Sequence, residues 1–274
     1  MPRIHISVHI PKNGGMTFDS ILARVFGRGF ARTEEGAAGR IMSAAEKADL
    51  LRQNPRIRCL SGHSFRFPGP VLPDCTYAYW TFLREPIARL VSLYVYEGQI
   101  AAHNPQHSSH RPIEAWIDSR LQEDNALTNY QAFHLMGASD PGQVSLDEAR
   151  QRLDSFAFVG VAEAYDDSLI VLAQQQGWQP FDLFYRKQNV TGSKKRVVLN
   201  SRTRQRLLDL NQIDLALYEA ARQRLAQALK DMRPRLLAAW RRDFARIRQL
   251  TPRQFPWTYK ASARLRRWRS AILG

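Results

Sequence analysis

The chain is predicted to be an α/β protein with three layers, helices covering both faces of a central parallel sheet. Three observations predict it. Short β-rich runs alternate with longer runs of helical period, the pattern of parallel strands joined by crossover helices. At 274 residues the chain can bury one sizeable core plus a small appendage. No window approaches the roughly 18 uninterrupted apolar residues of a membrane helix.

Strands are expected at Ile4–Ile10, Ile57–Leu60, Tyr77–Leu83, Ala157–Val161 and Leu183–Tyr185, each a short run rich in β-branched or aromatic residues. Helices are expected at Thr17–Phe26, Ser43–Gln53, Pro86–Ile100, Ile113–Arg120, Leu127–Leu135, Leu146–Leu153 and Ala164–Gln176, where apolar residues recur at helical spacing. Beyond Ser201 the pattern is helical throughout, over Arg202–Leu210, Gln212–Met232 and about Arg235–Leu250. The main domain is therefore drawn over 1–232, with a basic helical extension over 233–274.

The formal net charge is +15 and unevenly spread. From Trp240 onward ten basic residues face the single acid Asp243, so more than half the excess lies in the last 35 residues. The remainder suits a protein that handles polyanionic ligands. In the tail, arginines interleave with Trp240, Phe244, Phe255, Trp257, Tyr259 and Trp268. That mixture fits an acidic glycan, an anionic membrane surface or nucleic acid, or simply an amphipathic helix with a solvated basic face. Cys59 and Cys75 cannot build a disulfide framework and have no metal-ligand companions, so both are expected reduced and buried. No secretory signal is recognised, because the first apolar run is strand-length and punctuated by His5, Ser7 and His9. A cytoplasmic protein, with at most peripheral contact at the inner membrane surface, is the expectation.

Chemistry concentrates behind the first strand, at Pro11-Lys12-Asn13-Gly14-Gly15-Met16-Thr17. Glycines admit an anion to the main chain, a helix N-terminus adds partial positive charge and Lys12 a full one. The lysine precedes the glycines, unlike the nucleoside-triphosphate loop G-x-x-x-x-G-K-[ST], which disfavours an ordinary ATPase. An ordinary strand-to-helix turn is the bland alternative. A second segment, Leu83-Arg84-Glu85-Pro86-Ile87-Ala88-Arg89-Leu90-Val91-Ser92-Leu93-Tyr94, puts Arg84 at a strand end and Ser92 two turns into the next helix. Arg84 thus shares a carboxyl edge with Lys12, where open α/β sheets bind ligands. His63, in Ser61-Gly62-His63 after the second predicted strand, reaches that edge too. His5 and His9 alternate with apolar residues of the first strand and are read as core or wall. His103, His107 and His110 lack the carboxylate or cysteine company of a zinc site.

Together these segments resemble the sulfotransferase family, in its carbohydrate-modifying branch. Pro11 to Thr17 resembles that family's 5′-phosphosulfate loop, P-K-T/S-G-G/S-T-S/T, and Leu83 to Tyr94 its 3′-phosphate segment, L-R-D-P-V-x-R-x-x-S-x-Y. Phe158-Val159-Gly160-Val161-Ala162-Glu163 followed by Ser168-Leu169 is similar to its F-V-G-x-x-E-x-x-x-x-S-L unit, and Asn189 to Lys195 to its late cofactor-closing loop. Asn13 and Met16 depart from the pattern, since hydroxyl residues are commoner there. The resemblance implies a P-loop-like sulfotransferase fold and the donor 3′-phosphoadenosine-5′-phosphosulfate, with no metal, acting on a carbohydrate or glycolipid hydroxyl. It further implies that Lys12, Asn13, Gly14, Gly15, Met16 and Thr17 hold the 5′-phosphosulfate. Arg84 and Ser92 would hold the 3′-phosphate, while Ser193, Lys194 and Lys195 close over the nucleotide. Catalysis is assigned to Lys12 at the leaving oxygen and His63 as general base, with Glu85 or Glu163 as fallback bases. The rivals are a nucleotide kinase with a variant phosphate loop and a basic nucleic-acid-binding module; no nucleic-acid partner is expected.

Overall fold

A computed structural model of the chain describes residues 1–32, 41–63, 65–70, 72–103, 111–123, 127–137, 144–185 and 197–249. In chain order these form β1 (Arg3–Val8), α1 (Gly15–Phe26), β2 (Phe30–Arg32), α2 (Ala44–Gln53), β3 (Cys59–Gly62), β4 (Thr76–Leu83) and α3 (Pro86–His103). Then come α4 (Ile113–Glu123), α5 (Tyr130–Met136), α6 (Leu146–Ser155), β5 (Phe158–Val161), α7 (Tyr165–Gln176), α8 (Ser201–Leu210), α9 (Gln212–Asp231) and α10 (Pro234–Gln249). Among the described residues the strands make one sheet of order β2-β3-β1-β4-β5, with every pairing parallel. Helices flank it, giving the expected three-layer α/β/α architecture.

Strand order positions the site. From β1 the chain turns one way to reach β2 and β3, then crosses to the other side for β4 and β5. The carboxyl end of β1 is therefore a topological switch point, where the outgoing connections diverge and leave a crevice. Register makes the edge level: Val8 pairs with both Gly62 and Thr81, and Leu83 with Val161. The residues following all four strands leave the sheet together.

Two strand assignments change. Leu183–Tyr185 is not a strand: a 3₁₀ turn spans Pro180–Leu183, and Leu183, Phe184 and Tyr185 are buried without strand pairing. An apolar run satisfies burial equally well by packing into the core, which periodicity over three residues cannot distinguish. Conversely, the edge strand Phe30–Arg32 pairs with Cys59–Ser61 but is too short to show alternation. Cys59 is fully buried and free, whereas Cys75 is free but only partly buried. Within the expected extension, Pro234–Gln249 forms α10, whose Phe244 joins the main core and whose Arg241 forks onto both oxygens of Asp167 at 2.9 and 2.8 Å. No helix among the described residues is long and apolar enough to cross a membrane.

On β1, His5 packs towards α1. The His5 ring lies tilted against those of Trp80 and Phe26, with centres 4.1 and 5.4 Å away. Burial, reinforced by Arg3, lowers its pKa from 6.5 to about 4. Burial also lowers fully enclosed His134 well below 6.5. In both cases the unfolded chain binds the proton more readily than the fold does. Their contribution is complete above pH 6.5 and is lost as the pH falls towards 4, by roughly 3 kcal/mol for His5 alone. Urea midpoints should drop steeply between pH 7 and 4.5, and His5→Phe, which keeps a ring against Trp80, should flatten that slope. Equal slopes in the two proteins would show that His5 is not the group titrating.

Candidate functional site

β1 stops at Val8, and His9 and Ile10 continue, buried, into the turn. Lys12 takes a positive φ of 70° and Gly14 one of 86°, and Gly14 caps α1 in left-handed conformation. The Gly14 carbonyl accepts from the amides of Thr17 and Phe18 at 3.1 and 3.2 Å. No side chain caps this N-terminus and its first turn holds no acid. The leading amides and the helix dipole thus keep their positive character for an anion. Neither glycine tolerates a side chain: a Cβ on Gly15 would lie 2.0 Å from the His9 ring, and one on Gly14 2.9 Å from Tyr165. The Tyr165 hydroxyl also donates to the Gly14 carbonyl at 3.1 Å.

Asn13 is fully enclosed. Its side chain turns inward, donating to the Phe82 carbonyl and to Gln131 Oε1, both at 2.7 Å. It therefore pins the loop to the end of β4 and to α5. Met16 is partly exposed and its sulfur lies 3.2 Å from Arg32 Nη2, while Thr17 is buried.

Arg84 and Lys12, 72 residues apart in sequence, meet: Arg84 Nη1 donates to the Lys12 carbonyl at 2.9 Å. Gln131 holds the Arg84 backbone from both sides, accepting from its N–H at 2.9 Å and donating to its carbonyl at 2.8 Å. Arg84 Nε lies 3.8 Å from Glu163, which also accepts from Tyr218 Oη at 3.1 Å and from the Glu85 amide at 3.2 Å. Burial, then the Glu163 charge, pushes the Tyr218 hydroxyl up to about 12. Glu85 spends its carboxylate on the Ala88 amide at 2.6 Å, capping α3. The Lys12 ammonium rests over the Tyr96 ring, 3.8 Å from its centre. Burial first and Arg84 second lower its pKa, with Glu97 opposing. Two cationic side chains thus share one edge, and burial makes each readier to accept an anionic partner. Ser92 lies partly buried on α3, and beside the start of that helix opens a cleft of about 530 Å³ lined by Ile87, Ala88, Val91, Leu199 and Arg204 among others.

His63 follows β3 directly. Its Nδ1 lies 2.8 Å from the His9 carbonyl, and its ring packs against that of His9 with centres 4.2 Å apart and planes tilted by 37°. A carbonyl only accepts, so Nδ1 carries the hydrogen and the neutral ring has its lone pair on Nε2. The loop behind His63 is held by Lys47, buried in α2, whose ammonium donates to the carbonyls of Arg66 and Pro68 at 2.5 and 2.8 Å. Burial brings the Lys47 pKa down to about 8, against the pull of Glu46.

The fold thus brings together Lys12, Asn13, Gly14, Gly15, Met16, Thr17, His63 and Arg84 at the carboxyl edge, with Ser92 two turns along α3. Ser193, Lys194 and Lys195 lie outside the described residues, as do His107, His110 and the tail beyond 249. Three further residues complete the site: Gln131, Tyr165 and the buried Asp19. Each gains its place there from tertiary partners, Gln131 from Asn13 and Arg84, Tyr165 from Gly14, and Asp19 from His9, Arg32 and Ser61. Among the described residues no cluster of three or more His, Cys, Asp or Glu could hold a metal ion. No family model matches the chain, and no curated protein matches it in sequence.

Proposed function

We propose that the protein is a sulfotransferase, moving a sulfuryl group from 3′-phosphoadenosine-5′-phosphosulfate to a hydroxyl of a carbohydrate or glycolipid. One observation carries the proposal: a glycine-opened helix N-terminus without a side-chain cap, with Lys12 just behind β1, its carbonyl accepting from Arg84 just behind β4, and His63 just behind β3. The donor carries anionic groups at two separated positions, and two cationic elements on neighbouring strands match that chemistry. The amides of α1 and Lys12 would hold the 5′-phosphosulfate, and Arg84 with Ser92 the 3′-phosphate. Bound there, the donor supplies the sulfuryl group. The acceptor oxygen bonds to sulfur, the sulfur–oxygen bond to the 5′-phosphate breaks, and His63 Nε2 takes the acceptor's proton. Lys12 stabilises charge gathering on the leaving oxygen. The proposal places the enzyme in the cytoplasm. Its exposed Arg233, Arg235, Arg242 and Arg246 around α10, together with the basic tail, would meet an anionic membrane surface or acidic glycan.

Adenosine 3′,5′-bisphosphate should raise the melting temperature, by about 2.7 kcal/mol of stabilisation at 100 times its Kd. ATP with magnesium and oligonucleotides should not. Lys12→Ala and Arg84→Ala should each weaken that binding about 10- to 100-fold, the loss of one charge-assisted contact. Radiolabelled sulfate should pass from the donor to a member of a polysaccharide and glycolipid panel. A response to ATP with magnesium alone would transfer the site to a kinase, and a response to oligonucleotides alone to a nucleic-acid module.

A further inference from the structure

We propose that Asp19 is a positioning residue that acts through His9 to hold the His63 ring, linking the base to the anion loop; this rests on the transfer function proposed above. Asp19 lies on α1, one turn past the glycines, and is 5% exposed. A carboxylate so enclosed is costly unless several donors compensate it. Its partners come from three strand ends. Oδ2 lies 3.1 Å from His9 Nδ1, just beyond β1, and 3.3 Å from Arg32 Nε, at the end of β2. Oδ1 accepts from Ser61 Oγ at 2.5 Å, in β3 two residues before His63.

His9 carries the effect onward. The carboxylate draws the hydrogen to His9 Nδ1 and fixes the plane of a ring that packs against His63, centre to centre 4.2 Å. The same residue's carbonyl accepts from His63 Nδ1. On its other side the His9 ring fills the space a Gly15 side chain would need. His9 is thus wedged between the anion loop and the base, with its angle set by Asp19. Movement of the loop on binding an anion would be felt at His63 through this ring.

Asp19→Asn keeps the volume and removes the charge. It should leave the Kd for adenosine 3′,5′-bisphosphate within about twofold and lower kcat roughly 10- to 100-fold, less than loss of a carboxylate bonded directly to the base. His9→Phe keeps a stacking ring and the carbonyl but cuts the link, and also carries the test should Asp19→Asn fail to fold. It should give a similar loss, with the double variant no worse than either single one. Additive losses would overturn the proposal. Imidazole ¹⁵N spectra report independently of activity: His63 should show hydrogen on Nδ1 in the parent protein, and its ring signals should shift in folded Asp19→Asn. Unmoved His63 signals would overturn the positioning role whatever the enzyme does. Shifted signals in a protein that transfers no sulfate from the donor would leave positioning intact and overturn the transfer function instead.

Discussion

His63→Ala is expected to lower the proposed sulfuryl transfer by about 10²–10⁴-fold while adenosine 3′,5′-bisphosphate binds within about twofold of the parent. The separation of the two readouts follows from where the residue sits. His63 leaves β3 with its Nδ1–H committed to the His9 carbonyl, whereas the cationic contacts of the anion site come from β1 and β4. Removing the imidazole therefore deletes the proposed proton acceptor and leaves Lys12 and Arg84, the proposed phosphate contacts, in place. Single-turnover rates measured alongside equilibrium binding would separate the effects, and the loss should appear in kcat. Full turnover in the variant would end His63's candidacy. The sequence offers Glu85 and Glu163 as replacements, but the first caps α3 and the second accepts from Tyr218 and the Glu85 amide. A carboxylate spent on amides is a poorer base, so His9, already oriented by Asp19, would be examined next.

Why His63 was legible and Asp19 was not is a matter of range. The Lys12 to Gly15 turn declares itself through local composition: glycine is demanded where φ is 86° and where a Cβ would strike His9. Arg84 and His63 declare themselves because a β-rich run before each fixes the edge from which it emerges. Asp19, by contrast, interrupts an apolar face of α1 and gains meaning only from His9, Ser61 and Arg32, on three different strands. Gln131 is more remote still, bonding Asn13 across 118 positions and Arg84 across 47. Strand β2 stayed hidden because three residues cannot show a period, and Leu183–Tyr185 misled because burial without pairing looks identical in composition. Residue type and spacing reveal the groups that face a ligand; the groups behind them depend on tertiary contact.

That second tier carries the largest expected stability effect, at Asp214. The side chain is fully buried at the start of α9 and accepts from the amides of Gln131 at 3.0 Å and Ala132 at 2.8 Å, capping α5. Asn129, ahead of α5, returns the contact by accepting from the amides of Ile213 and Asp214 at 3.1 and 3.3 Å. The two helix starts therefore cap each other. Burial raises the Asp214 pKa, while those amides and the charge of Arg89 pull it down. Arg89 is itself fully buried, with its guanidinium 4.6 Å from the centre of the Tyr130 ring. Asp214→Ala removes the acceptor of two enclosed N–H groups and the counter-charge of an enclosed guanidinium, a loss of about 3–5 kcal/mol. For a domain of this size the melting temperature should fall on the order of 10 °C. Because α5 carries Gln131, which grips Arg84 and Asn13, the folded fraction should also bind adenosine 3′,5′-bisphosphate more weakly. Adding Arg89→Leu should recover part of the stability, since a missing pair costs less than half of one. It should not recover the binding, because the α5 amides stay uncapped and Gln131 stays loose. A stability loss below about 1 kcal/mol in Asp214→Ala, within the range of an ordinary surface substitution, would show that these caps do not hold α5.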